Sequence, residues 1–240
     1  MTPGLADACV VIPTFNEVAN IAKLVSALRA LSPGLRVIVV DDGSPDGTGP
    51  AVAALAAKDP QVELIQRSGK GGRGSACLAG FKSALTRPET KVFVEMDADF
   101  SHDPSELAAT IVALEGADVV IRSRYLPGSA IIDWTLARRV FSRLSNFFAR
   151  AVLGIPLADY TNGYRAYRRT SVEAIEFDRI QNTGYIVLSE VAYQLHLKGL
   201  RFAELPTVFV NRRRGESNLS LSEILGALRG VLSLRAKYRA

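Results

Sequence analysis

The sequence predicts an α/β protein: a mainly parallel, doubly wound sheet with helices on both faces, ending in an amphipathic helix. Two observations carry that expectation. Short β-branched runs alternate with stretches of helical periodicity through the first half of the 240-residue chain, which is the pattern of βαβ units. A polar cluster also follows each of the first four runs, where an open parallel sheet binds its ligand.

Residues 8–13 (ACVVIP) form a short apolar run and read as a buried strand. Ile21, Leu24, Val25, Leu28 and Leu31 have helical spacing, so residues 17–31 are a helix, closed by Pro33-Gly34. Residues 36–40 (RVIVV) are the second strand, 48–58 a helix, 62–66 the third strand, 74–85 a helix and 91–96 the fourth strand. A helix over 104–114 and a strand over 117–121 complete five β units. The second half is less regular. Residues 134–153 make a long amphipathic helix, 163–167 a strand, 184–197 a helix, 201–206 and 208–210 strands, and 219–238 the last helix. With no internal repeat and no low-complexity linker, residues 1–240 read as one domain.

Composition narrows the classes. Hydrophobic residues at 48% and charged residues at 22% exclude a disordered, collagen-like or coiled-coil chain. Two cysteines, Cys9 and Cys77, make no disulfide framework and read as small buried residues. No apolar stretch is long enough for a membrane span, and residues 1–8 lack the regions of a secretory signal. Charge is split: residues 1–121 carry 10 basic and 15 acidic side chains, residues 122–240 carry 19 and 9. The second half therefore expects an anionic partner.

The polar clusters hold the candidate chemistry. Asp97-x-Asp99 after the fourth strand places two carboxylates at i and i+2, which repel unless a cation joins them. Oxygen ligands suit Mg²⁺ or Mn²⁺; the alternative is a strand-end turn. Asp103-Pro104 reads as a helix cap. Lys70-Gly-Gly-Arg73-Gly74 is similar to a phosphate cradle but lacks the P-loop signature, and it is either a ligand contact or a loop before a helix. Asp41 and Asp42 are Asx-turn residues or acceptors for a base or ribose, and Phe15 stacks on a base or joins the core. Arg138 and Ser142 are i, i+4 neighbours on one helical face. Along that helix Ala137, Val140, Phe141, Leu144, Phe148 and Ala151 read as core, with Trp134, Leu136 and Phe147 as an exposed apolar face. His102 and His196 lack partners at metal-ligand spacing, and Arg212, Arg213 and Arg214 stand beside no nucleic-acid module.

VVIPTFNE, VIVVDDGSPDGT, KGGRGSA and VEMDADFSHDP together resemble glycosyltransferase family 2, whose members share the GT-A nucleotide-sugar fold. Ser123-Arg124-Tyr125, Trp134-x₃-Arg138-x₃-Ser142, Asp159-Tyr-Thr-Asn-Gly-Tyr164-Arg165 and Arg212-x-x-Gly215-Glu216-Ser217 look like its dolichol-phosphate (polyprenol monophosphate) mannose synthase branch. The resemblance spans roughly residues 8–220. It implies nucleotide-sugar contacts at Pro13, Phe15, Glu17, Val40, Asp42, Lys70, Asp97, Ala98, Asp99, Arg212 and Asn218, with Arg212 closing on the donor diphosphate. It implies a divalent ion on Asp97, Asp99 and Ser101, and acceptor-phosphate contacts at Arg124, Arg138 and Ser142. Asp97, Asp99, Arg124 and Arg212 are then the catalytic set. Ser101 stands where some members have a metal-binding Gln, and Asn218 where a Lys is usual.

The implied reaction moves mannose from GDP-mannose to a polyprenyl monophosphate with inversion, using Mg²⁺ or Mn²⁺. Residues 1–121 would form the nucleotide-sugar and metal half, and residues 122–240 the acceptor half. A UDP-sugar donor acting on undecaprenyl phosphate, and a nucleotide-sugar-binding module without activity, are the alternatives. The implied setting is the cytoplasmic face of a membrane, bound peripherally, with room for a separate membrane-anchoring subunit and no nucleic-acid partner.

Overall fold

The computed structural model describes residues 3–211 and 221–239, with backbone only for 221–227 and 239. Its strands are β1 (Ala8–Thr14), β2 (Arg36–Asp41), β3 (Val62–Gln66), β4 (Val92–Glu95), β5 (Val119–Ser123), β6 (Ala130–Ile132), β7 (Arg165–Arg168), β8 (Phe202–Pro206) and β9 (Val208–Val210). Its helices are α1 (Val18–Leu31), α2 (Thr48–Ala56), α3 (Arg73–Leu85), α4 (Leu107–Val112), α5 (Leu136–Leu153), α6 (Arg169–Glu173), α7 (Ile186–Leu197) and α8 (Leu221–Arg239).

Seven strands make one sheet in the order β3-β2-β1-β4-β7-β5-β8. All neighbours are parallel except β7, which runs antiparallel between β4 and β5. The sequence reading of five parallel units holds for β1 to β4, but β5 does not follow β4 directly. A strand from later in the chain, β7, takes the place between them, as Val94↔Ala166 and Val120↔Ala166 pairing shows. A parallel pair, β6 and β9, forms a second small sheet.

Strand alternation builds a core on each face. Cys9 and Val11 of β1 join Ile38, Val40, Phe81 and Phe93 under α3, α5 and α7. Val10 and Ile12 point the other way, to Ile21, Leu24 and Val25 of α1 and Leu107 of α4. Each such buried aliphatic side chain contributes about 1.5–3 kcal/mol. Both cysteines are buried and unpaired, and burial pushes the Cys9 thiol up to about 12. Gly80 of α3 faces β1 and β2 so closely that a Cβ would collide with Val11 and lie 3.2 Å from Val40 Cγ2.

The structure corrects the reading of α5. The helix starts at Leu136 on a Thr135 N-cap and ends at Gly154, whose φ is +75°. Its buried residues are Asn146, Ala149 and Leu153. Val140 and Leu144, expected in the core, are 49% and 61% exposed, and Ala137 and Ala151 are exposed as well. Phe141 and Phe148 are half-buried. Leu136 and Phe147 are exposed as expected, whereas Trp134 lies before the helix and is buried. The reason is geometric: α5 docks its other face, because α8 packs against it and Arg235 of α8 donates to the Val152 carbonyl at 2.7 Å. Among the described side chains of α8, Val231 and Leu234 are buried and Leu232 is exposed.

Candidate active site

Loops following β1, β2, β3 and β4 meet along one edge of the sheet. Much of the Asp41-Asp42-Gly43-Ser44-Pro45-Asp46-Gly47-Thr48 run stitches them together. Asp41 is fully buried and accepts from Thr14 Oγ1 at 3.0 Å, Gln66 Nε2 at 2.7 Å and the Ser44 amide at 3.0 Å. Asn16 N–H donates to Ser44 Oγ, Glu17 N–H to Thr48 Oγ1 and Val18 N–H to Asp46 Oδ2. Asn16 holds φ at +62°, which turns the chain from β1 into α1. Asp42 Oδ2 accepts from the Gly71 and Gly72 amides at 2.8 and 2.9 Å, and Arg67 Nη1 lies 2.9 Å from Oδ1. Lys70 of the same loop sits 4.6 Å above the Phe15 ring. Pro13 and Val40 pair with each other one residue before the ends of β1 and β2, with Val40 fully buried.

The acidic corner follows β4. Arg73, at the start of α3, turns inward: Nε donates to Asp97 Oδ1 at 2.7 Å, Nη1 to Glu95 Oε2 at 2.8 Å and Nη2 to the Gly163 carbonyl at 3.0 Å. All three of its guanidinium nitrogens are thus engaged inside the protein. Burial alone would lower its pKa, but Asp97, with Cys77 and Glu95, outweighs burial and holds it well above the ordinary value. Glu95 is buried and also accepts from Tyr167 OH at 2.6 Å. The Ser101 amide donates to Asp99 Oδ1 at 3.0 Å across a turn in which Phe100 takes φ +58°, a conformation that costs a non-glycine residue free energy and concentrates at functional sites. Asp103 Oδ1 caps the Pro104–Glu106 turn through the Ser105 amide at 2.8 Å, as the sequence suggests.

Asp97, Asp99 and Ser101 present oxygen alone, the donor type of Mg²⁺ and Mn²⁺. Ser101 Oγ is buried with no hydrogen-bond partner among the described residues, a state that costs free energy unless something binds it. Among the described residues no group of three His, Cys, Asp or Glu is placed to hold a metal. A hard cation here fits as one completed by substrate oxygens.

The basic side begins where β5 ends. Arg124 is 8% exposed and grips the fully buried Asp159: its amide and Nε reach Oδ2 at 3.0 and 2.7 Å, and Nη2 reaches Oδ1 at 2.8 Å. Burial opposes both charges. The pair overcomes it, so Arg124 stays above its ordinary pKa, with Tyr125 and Asp97 contributing, and Asp159 stays below its own. Trp134 lies between two guanidiniums, 4.1 Å from Arg138 and 5.2 Å from Arg124. Arg138 Nη1 donates to Asn211 Oδ1 at 3.1 Å, and Ser142 Oγ accepts from Tyr125 OH at 2.5 Å. Phe209 of β9 touches all of this: its ring lies 5.5 Å from Trp134, 5.3 Å from Arg124 and 5.8 Å from His102. A continuous path of contacts thus joins Asp97 to Arg138 through His102, Phe209 and Trp134.

The structure brings Asp97, Asp99, Ser101, Arg124, Arg138 and Ser142 to one end of the sheet, with Phe15, Glu17, Asp42 and Lys70 on the loops beside them. Arg212 and Asn218 lie outside the described residues. His102 has no partner at metal-ligand spacing in the sequence, and finds hydrogen-bond partners in the structure instead. It is fully buried, stacks on Tyr164 and hydrogen-bonds through both ring nitrogens, to the Asp97 amide at 3.1 Å and to Asn162 at 2.8 Å. Burial pushes its pKa below the ordinary value despite the opposing charge of Asp97. In the sequence Arg73, Asp159 and Asn162 stand out only within motifs and His102 has no assigned role, so how the four act together on this site was not legible.

The model of glycosyl transferase family 2 matches residues 9–176. An undecaprenyl-phosphate mannosyltransferase of Micrococcus luteus is 41% identical over 210 residues, covering 88% of this chain and 86% of that protein. A polyprenol monophosphomannose synthase of Mycolicibacterium smegmatis is 41% identical over 221 residues, covering 91% and 83%. A dolichol-phosphate mannosyltransferase of Pyrococcus furiosus is 35% identical over 230 residues, covering 94% and 62%. Among solved structures, glucosyl-3-phosphoglycerate synthase from Mycobacterium tuberculosis, crystallised with Mn²⁺, UDP and glucosyl-3-phosphoglycerate, shares the fold. Its TM-score is 0.64 at 21% identity, over 95% of this chain and 80% of that one.

Proposed function

The chain belongs to glycosyl transferase family 2, and from there we propose that it transfers mannose from GDP-mannose to a polyprenyl monophosphate, with inversion at the sugar carbon. The relatives' names supply the substrate class. The observation that carries the reading to this chain is the shared corner: the Asp97 backbone and the Arg124 and Arg138 guanidiniums are linked through His102, Phe209 and Trp134.

Direct displacement suits these residues. A lipid phosphate oxygen bonds to the anomeric carbon as the bond to the nucleoside diphosphate breaks, and the diphosphate leaves with that electron pair. The acceptor is already anionic near neutral pH, since its second pKa is about 6. No general base is required, and His102 has both nitrogens engaged elsewhere. The need is for cations. Arg138, with Ser142 one turn on, holds the acceptor phosphate, and Arg124 adds its charge from behind. Asp97, Asp99 and Ser101 would hold Mg²⁺ or Mn²⁺, which when bound neutralises the leaving diphosphate. A base stacked on Phe15 displaces Lys70 from that ring and turns its ammonium toward the phosphates.

The same reading accounts for the outer face of α5. Leu136, Val140, Leu144 and Phe147 lie on one stripe, and Leu136 and Phe147 are 76% and 72% exposed. Arg139, Arg143 and Arg150 occur along the same helix. No helix among the described residues is long and apolar enough to cross a membrane. The stripe instead rests at the polar–apolar boundary on the cytoplasmic face, next to the arginine that takes the lipid phosphate. A separate anchoring subunit is not needed for this contact.

The test is a donor panel. Purified protein with MnCl₂ and a short polyprenyl phosphate should transfer mannose from GDP-mannose. Transfer from UDP-glucose or UDP-N-acetylglucosamine in its place would correct the donor. No transfer from any of the three, with the nucleotides still bound, would leave a binding module and overturn the proposal.

A further inference from the structure

Two hydrogen-bonded struts run from Asp97 to a single loop, residues 159–163. In the first, the Asp97 amide donates to His102 Nδ1 at 3.1 Å and His102 Nε2 meets Asn162 Oδ1 at 2.8 Å. Chemistry fixes each proton in this relay. Asn162 Nδ2 faces the Arg122 carbonyl and must donate, so Oδ1 is left to accept. The Asp97 amide has only a proton to offer, so Nδ1 accepts and Nε2 carries the hydrogen. In the second strut, Arg73 bridges Asp97 Oδ1 at 2.7 Å and the Gly163 carbonyl at 3.0 Å.

The loop that receives both struts holds Arg124 at its other end. The Thr161 and Asn162 amides donate to Asp159 Oδ1 at 3.1 and 3.0 Å, and Arg124 closes on that same carboxylate. Glu204 of β8 fixes the loop from behind by accepting from the Ala158 and Asp159 amides at 2.7 and 2.9 Å. His102 and Asn162 are at most 1% exposed. Neither can touch a substrate, and both touch the frame on which the substrates' contacts sit.

We propose that the 159–163 loop sets the distance between the acidic corner and Arg124 on the acceptor side, and that His102 and Asn162 are positioning residues for sugar transfer. The proposal rests on the function proposed above. In a direct displacement the protein holds neither reactant covalently, so alignment of the attacking oxygen depends on how rigidly the two sets of contacts are spaced. A misplacement of about 1 Å costs on the order of 10²-fold in rate.

His102→Asn separates the two arms of the relay. Its Oδ1 stands where Nδ1 stood and keeps the Asp97 amide satisfied, but the side chain is too short for Asn162. Full-length protein is assayed for kcat, for KM toward GDP-mannose and toward a short polyprenyl phosphate, for GDP·Mn²⁺ affinity by calorimetry, and for the folded fraction by thermal unfolding. The expected result is a fall in kcat of about 10- to 100-fold per folded molecule, with both KM values and the GDP·Mn²⁺ affinity within about twofold of wild type. A kcat per folded molecule within about twofold of wild type overturns the proposal, as does a raised KM with kcat intact. Arg73→Lys covers the case in which His102→Asn does not fold. It keeps a cation beside Glu95 and Asp97, cannot also span to Gly163, and carries the same expectation. Inactive wild-type protein would instead sink the proposed function.

Discussion

Arg124 and Asp159 close a two-point fork inside the protein, Nε on Oδ2 at 2.7 Å and Nη2 on Oδ1 at 2.8 Å. Removing one member leaves the other charge buried alone. Asp159→Asn should cost about 3–5 kcal/mol at neutral pH, read from urea unfolding. The sign with pH follows from the depressed Asp159 pKa. The carboxylate's stabilisation is complete above the unfolded value of 3.8 and is lost as pH falls through the lower folded value. The gap between wild type and Asp159→Asn should therefore be constant near neutrality and close as the solution is acidified below that value. A gap unchanged under acid would mean that the ion pair is not its source.

Arg138→Ala should raise KM for polyprenyl phosphate about 10- to 100-fold, as expected for losing a charge-assisted contact. KM for the donor should barely move. Equal effects on the two substrates, measured by initial rates with each varied in turn, would place Arg138 elsewhere in the reaction.

Chelation by EDTA should abolish transfer, and MnCl₂ or MgCl₂ should restore it. Asp97→Asn combined with Asp99→Asn should lower kcat by about 10³-fold or more while the protein stays folded, because the diphosphate loses its counter-charge. Full activity in EDTA would end the metal assignment.

The outer stripe of α5 predicts lipid contact. Leu144→Glu with Phe147→Glu should reduce co-sedimentation with vesicles containing anionic lipid, at low salt, without lowering thermal stability, since both side chains are exposed. Wild-type protein that stays in the supernatant would remove the basis for that contact.

Gly80→Ala tests the close approach of α3 to the sheet. The added methyl meets Val11 and Val40. It should cost about 1–3 kcal/mol, or roughly 2–4 °C in melting temperature per kcal/mol for a chain of this size. Calorimetry showing an unchanged melting temperature would mean that the helix can shift outward freely.

Local signals carried far into this fold. β1 to β4 were legible because each is a short apolar run ended by polar residues, and Asp103-Pro104 because capping depends on neighbours in sequence. The position of β7 was not, because nothing within residues 165–168 says that they slot antiparallel between β4 and β5. Periodicity correctly predicted an amphipathic helix at α5 but could not say which stripe meets α8, so Val140 and Leu144 were assigned to the wrong side. The site divides in the same way. Asp97, Asp99 and Arg138 stood out by type and spacing, and Arg124 only through the family resemblance. The hydrogen-bond partner of His102 was not legible because Asn162 is 60 residues away, and the loop holding Arg73 read equally as a ligand contact or a plain loop because Glu95 and Asp97 lie 22 and 24 residues further on.

The slot occupied by β7 also bears on how the chain is made. Until residues 165–168 leave the ribosome, β4 presents an open edge of unpaired amides and carbonyls, and such edges recruit other strands. Fragments ending near residue 121 should consequently aggregate during expression.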